Sequence, residues 1–164
     1  MNKAISIISI LIGFISFGQE IQLDRIDEMV KSIELDSTQT LTEFDWNVLT
    51  GITTGSKGIR RIWTNGKHTT KIVEEIKFLD YTTWTTMYLE NGVPIKIIEK
   101  EGGFENSKNG LDYSKHIEVF SAVVYVFDWE NDKSKIIRNG TRVFTEVSCS
   151  TFDYETLLEN IQTE

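Results

Sequence analysis

Tyr88-Leu89-Glu90-Asn91-Gly92-Val93-Pro94-Ile95-Lys96-Ile97 is the stretch that decides how this chain folds. Asn-Gly accepts the positive φ that a two-residue hairpin turn demands, because glycine has no Cβ and asparagine tolerates the left-handed region. On its C-terminal side Val93, Ile95 and Ile97 alternate with Pro94 and Lys96, the period of a strand buried on one face. Pro94 has no N–H for a ladder, which predicts a sheet edge or the start of a strand. The segment therefore reads as a β-hairpin.

The same signal recurs outward in both directions. Asn-Gly stands at 65–66, 109–110 and 139–140 as well, and Asn131-Asp132 is a related turn signal. The flanks are rich in Thr, Val, Ile and aromatic residues, which suit a pleated surface. A weak repeat joins the hairpins. Trp63-Thr64-Asn65-Gly66 leads to Lys71-Ile72, Leu89-Glu90-Asn91-Gly92 to Lys96-Ile97, and Trp129-Glu130-Asn131-Asp132 to Lys135-Ile136. The turns are unequally spaced, whereas a solenoid needs a fixed period, so the pattern predicts repeated hairpins in one sheet. The run from His116 to Trp129 is apolar at both parities, Val119, Val123, Tyr125 and Phe127 against Phe120, Ala122, Val124 and Val126. It predicts a central strand covered on both faces.

Helices are expected only at the two ends. Leu23, Ile26, Val30 and Ile33 recur at helical spacing among Asp24, Asp27, Glu28 and Lys31, and this lines one apolar face. Near the C-terminus Ser150 or Thr151 can cap, Asp153 suits a first turn, and Leu157, Leu158 and Ile161 form a stripe. The expected fold class is α+β: a mostly antiparallel meander sheet of hairpins flanked by an N-terminal and a C-terminal helix. With one proline and no Ser- or Gly-rich tract, no linker divides residues 19–164, which read as a single domain.

Residues 1–18 read differently. Lys3 supplies a positive start, Ala4 to Phe17 is dominated by Ile, Leu and Phe, and Ser16-Phe17-Gly18 sets small residues at the positions a signal peptidase reads. The apolar run falls short of the roughly 20 residues that span a bilayer. The expectation is a cleaved signal peptide, a mature start near Gln19, a periplasmic or secreted destination and no stable membrane anchor. The lone cysteine, Cys149, excludes an internal disulfide. On the apolar side of its strand, in register with Val143 and Val147, it reads as a buried, inert thiol.

The formal charge is −8 and becomes one unit more negative when Lys3 leaves with the leader. Nucleic acids and anionic membranes require clustered positive charge, so neither is expected as a partner. Within this acidic chain, Lys57, Arg60, Arg61, Lys67, Lys71 and Lys77 crowd residues 55–78, while residues 19–50 carry eight acids. Either the two segments face one another, or the basic stretch is a binding face.

The leader ending Phe17-Gly18-Gln19, the amphipathic N-terminal helix and the hairpin Tyr88-x-x-Asn91-Gly92-x-Pro94-Ile95-x-Ile97 together resemble the small uncharacterised exported proteins common in Bacteroidota. The hairpins are also similar to antitoxin-type repeat proteins built from aromatic-x-Asn-Gly units. The resemblance implies an exported sheet protein and assigns no catalytic residue.

Candidate chemistry is sparse. Asp128, Glu130 and Asp132 lie at i, i+2 and i+4 and offer hard oxygen ligands, but the glycine and terminal Glu of a calcium loop are missing. His116, beside Asp112, Tyr113 and Glu118, could act as a general base. With only His68 besides, no His-rich zinc site is available, and Ser114, His116 and Asp112 are too close in sequence for triad geometry. No cofactor is implied. The large rings remain, Trp46, Trp63, Trp84 and Trp129 with Tyr81, Tyr88, Tyr113 and Tyr125. Rings of this kind fill cores or anchor ligands. The reading is a non-enzymatic interaction module, of inhibitor, immunity or ligand-binding type, whose partner is a protein or small molecule. Its face is framed by Arg60, Arg61, Trp63, Trp84 and Tyr88. The alternative is a small periplasmic enzyme or hydrophobic-ligand carrier with a pocket lined by Phe120, Tyr125 and Phe144 on a curved sheet closed by a helix.

Overall fold

The computed structural model describes residues 20–52, 55–107, 110–142 and 151–159. The chain divides into two compact units, Met1–Asp36 and Ser37–Glu164. In the first, residues 20–35 form helix α1. Its expected stripe is present: Ile26 is buried and Leu23, Val30 and Ile33 are half-buried, with Asp24, Glu28 and Lys31 exposed between them. The leader and the proposed cleavage point at residues 18–19 lie outside the described residues.

The second unit is one antiparallel sheet. Its elements are β1 (Thr40–Asp45), α2 (Trp46–Thr50), β2 (Lys57–Asn65), β3 (His68–Lys77), β4 (Tyr81–Glu90), β5 (Val93–Ser107), β6 (Gly110–Asp128), β7 (Lys133–Gly140), a 3₁₀ turn (Thr151–Tyr154) and α3 (Thr156–Glu159). Among the described residues the seven strands pair in chain order, β1 to β7, as a plain meander. The hairpin read first is as expected: Glu90 pairs with Val93 around Asn91 and Gly92, whose φ angles are 52° and 83°, the left-handed pair of a type I′ turn. Pro94 is the second residue of β5, so its missing N–H costs the ladder little. Two other Asn-Gly pairs are used differently, and Asn109 of the fourth lies outside the described residues. Asn65 ends β2 and pairs with His68, so Gly66-Lys67 makes that turn, and Asn139-Gly140 ends β7 without turning.

Residues directly opposite each other in an antiparallel pair point to the same face. The register therefore defines a row of Ile62, Ile72, Met87, Ile97, Val124 and Ile136, one residue from each of β2 to β7. This row is the core. Ile72, Met87 and Ile97 are fully buried, and Tyr154 and Leu157 pack on the same cluster from the C-terminal segment. Each such Ile or Met contributes roughly 1.5–3 kcal/mol by leaving water. Of the expected C-terminal helix the described residues show a 3₁₀ turn followed by α3, in which Leu157 does the predicted work; Ser150 and Ile161 lie outside the described residues. Thr151 is held by Asp132, whose carboxylate accepts from the Thr151 N–H at 2.6 Å and its hydroxyl at 2.8 Å.

One strand departs from expectation. β6 is sixth of seven, not central, and its two faces differ. Phe120, Ala122, Val124 and Val126 are buried on the core face, whereas Val123, on the reverse face, is only half-buried and its neighbour Ile137 is 49% exposed.

Candidate binding face

The repeated Lys-Ile pairs explain the reverse face. Because consecutive strand residues point opposite ways, each isoleucine that enters the core row sends its lysine to the other side. Lys71, Lys96 and Lys135 fall in one row with Trp63, Tyr88 and Tyr125, in the order Trp63, Lys71, Tyr88, Lys96, Tyr125, Lys135. Each hairpin holds one extra residue beside its turn, Thr70, Ile95 and Phe127, a β-bulge next to the row. Lys71 Nζ stands 4.2 Å from the Trp63 ring centroid and Lys96 Nζ 4.7 Å from that of Tyr125, distances at which cation and ring attract. Tyr88 and Tyr125 are buried in this row.

Of the five residues expected to frame a binding face, Arg61, Trp63, Trp84 and Tyr88 share the reverse face by register. Arg60 does not. It alternates with Arg61 onto the core face, where its Nε and Nη2 donate to Glu74 at 2.9 and 2.5 Å and its side chain is 3% exposed. Arg61 is itself bonded to Glu43 of β1 at 2.8 Å, with Glu75 at 3.7 Å. Here the acidic and basic segments do face one another.

The core face is not uniformly apolar. Beside the core row runs Arg60, Glu74, Thr85, Glu99, Ala122 and Arg138. Arg142 reaches back to Glu99, with Glu101 at 3.6 Å, and its guanidinium lies 4.6 Å from the Phe120 ring centroid. Burial pushes the Glu99 carboxyl above its usual range, against the opposing pull of Arg142 and of a hydrogen bond from Tyr154, while nearby Glu101 pushes it further up.

The pocket expected for the carrier alternative is not brought together by the register. Phe120 lies on the core face and Tyr125, five residues on in an unbroken register, on the reverse, so the two cannot line one pocket. Phe144, Cys149, Val143 and Val147 lie outside the described residues. Two of the three acids are engaged at the turn: Asp128 accepts from the side chain and backbone of Asn131 and from Lys133, which hold its carboxyl below the usual range, and Asp132 holds Thr151. Glu130 is exposed, and among the described residues no three His, Cys, Asp or Glu side chains converge on a metal position.

A feature missed from sequence lies at one end of the reverse face. Trp84, Thr86, Lys100, Gly102, His116 and Glu118 line a shallow pocket of about 430 Å³. His116 stands edge-on to Trp84 at 6.1 Å and to Phe104 at 5.6 Å. Lys100 donates to Glu118 at 2.8 Å, and this bond is the main reason that the Glu118 carboxyl sits below its usual range. Gly102 permits the arrangement. A Cβ there would come within 2.4 Å of His116 Cε1 and 2.9 Å of the Trp84 ring. The signal available in the sequence was the Gly102-Gly103 pair inside a strand, which marks a close approach.

Compared with protein-family models, curated proteins and solved structures, the chain matches none. Among the described residues no helix is long and apolar enough to cross a membrane.

Proposed function

We propose that this protein is an exported, non-enzymatic binding module that offers the reverse face of its sheet to a protein or small-molecule ligand. The observation that carries this reading is the placement of Arg61, Trp63, Trp84 and Tyr88 on one face, opposite the apolar core row. Aromatic and arginine side chains are the usual anchors of binding surfaces. The leader-like residues 1–18 support export, and the α+β arrangement, with a helix at either end of the sheet sequence, supports a single small module.

Protein purified from the exported fraction, with its N-terminus near Gln19, tests both halves of the proposal. Trp46 is buried, whereas Trp63 and Trp84 on the reverse face and Trp129 at the core are half-buried, so acrylamide quenching of the Trp129→Phe protein reports chiefly on the reverse face. Size-fractionated peptides and glycans from the same cells should include a fraction that protects the fluorescence. Arg61→Ala/Trp63→Ala should lower that protection about tenfold, the loss of one good anchor. Quenching that no fraction alters would end the proposal.

A further inference from the structure

We infer that the pocket around Gly102 is a subsite for one neutral pyranose ring of a glycan. The inference rests on the binding-face reading and names the ligand chemistry for one part of that face.

The pocket is built by a β-bulge. Lys100 pairs with Ser121 and Glu101 with Phe120, so an unbroken ladder would set Val119 opposite Gly102. Instead Gly102 pairs with Glu118, because Val119 is an extra residue in β6. Bulges re-aim side chains at functional positions. This one replaces an apolar residue on the pocket rim by a carboxylate that reaches both Lys100 and Ser121.

The resulting chemistry is specific. Lys100 is a pure donor and ionised Glu118 a pure acceptor, locked together at 2.8 Å with side chains 50% and 44% exposed. An anionic ligand meets the repulsion of Glu118 and a cationic one that of Lys100. Two neighbouring hydroxyls meet neither, since one accepts from the ammonium while the other donates to the carboxylate. Beside this couple stand Trp84 and His116 at right angles, both rings packed directly onto Gly102. Ring faces carry negative quadrupole density and attract the weakly positive C–H face of a sugar. A few fixed polar groups beside an aromatic wall are what small-ligand sites use for orientation.

Binding rather than hydrolysis fits the pocket. Glycoside hydrolysis needs a carboxylic acid with raised pKa and a second carboxylate opposite. Glu118 is shifted the other way, and among the described residues it is the only carboxylate lining the pocket.

The test is a titration of ¹⁵N-labelled mature protein with cellohexaose, laminarihexaose, maltohexaose and mannohexaose, with hexagalacturonate as the acidic comparison. At least one neutral oligosaccharide should shift the Trp84 indole and His116 ring signals saturably, with a dissociation constant at or below about 1 mM. Trp84→Ala should weaken it about tenfold or more, and Trp84→Phe much less. Glu118→Gln, at an exposed position, should weaken it several-fold in a protein whose thermal melt confirms folding. The inference is overturned if no neutral oligosaccharide binds, if Trp84→Ala binds equally well, or if hexagalacturonate is preferred. Fluorescence protection that depends on Arg61 and Trp63 without any sugar response leaves the binding face standing and removes the subsite. Sugar binding that depends on Trp84 in a protein whose Arg61→Ala/Trp63→Ala variant behaves normally confines the ligand to this pocket.

Discussion

Adjacent residues of β6 separate the two faces of the sheet energetically, and an aspartate at each measures the difference. Val124 is 1% exposed and sits in the core row between Ile97 and Ile136. Val124→Asp forfeits roughly 1.5–3 kcal/mol of apolar burial. The new carboxyl has no partner in that row, so it stays protonated. Holding it neutral at pH 7, about three units above its ordinary pKa, costs about 4 kcal/mol more. The total of about 5–7 kcal/mol rivals the whole stability of a domain this size, about 5–15 kcal/mol. Val123 is half-buried between Ile98 and Ile137 on the reverse face. An aspartate there can turn toward water, and the loss is about 1–2 kcal/mol from half the burial and the poorer strand propensity. Circular dichroism melts of both variants decide. Val124→Asp should show no cooperative transition, and Val123→Asp should melt about 3–8 °C below the parent. Equal collapse of both variants would refute the distinction between the faces, and a folded Val124→Asp would refute the core.

Two further outcomes follow from the charges on the core face. Arg60→Met strands the Glu74 carboxylate, whose side chain is 12% exposed, and should cost about 3–5 kcal/mol, whereas Arg60→Met/Glu74→Met should cost less than the single change; additive losses in a urea double-mutant cycle would contradict this. Glu99 titrates above its ordinary value when folded, so the native state binds its proton more readily than the unfolded chain. Its contribution therefore favours folding increasingly as pH falls from neutral through the raised pKa, and is complete below the ordinary carboxylate value. Urea midpoints of Glu99→Gln should lack that rise, and an unchanged pH profile would refute the assignment.

Much of this architecture is legible in the chain because hairpin chemistry is local. Asn91-Gly92 accepts two left-handed residues and makes its turn where the dipeptide stands. Two other Asn-Gly pairs, at 65–66 and 139–140, show the limit of that reasoning. A glycine with positive φ also suits the first turn position with its asparagine left in the strand, as at Gly66, or a strand end, as at Gly140. The paired Lys-Ile steps carried more information than their uneven spacing suggested. Each hairpin carries a one-residue bulge, and strand pairing brings all three pairs to the same level of the sheet.

What the pattern could not convey is where alternation breaks and where a face changes character along its length. Arg60 reads as a surface residue because arginine is rarely buried. Yet it stands two positions from Ile62 on the core face and is tolerated there because Glu74 occupies the opposing position in β3. That pairing is a property of register across strands, and no window of one strand contains it. The pocket at Gly102 is a sharper instance. Strict alternation through β6 puts Val119 opposite that glycine and Glu118 on the other side of the sheet. The bulge reverses this, and a carboxylate arrives beside Lys100 where a methyl-bearing side chain was due. A binding site assembled by a register shift is invisible to periodicity for a physical reason. The periodicity assumes a constant step, and the shift is a single residue at which the step changes.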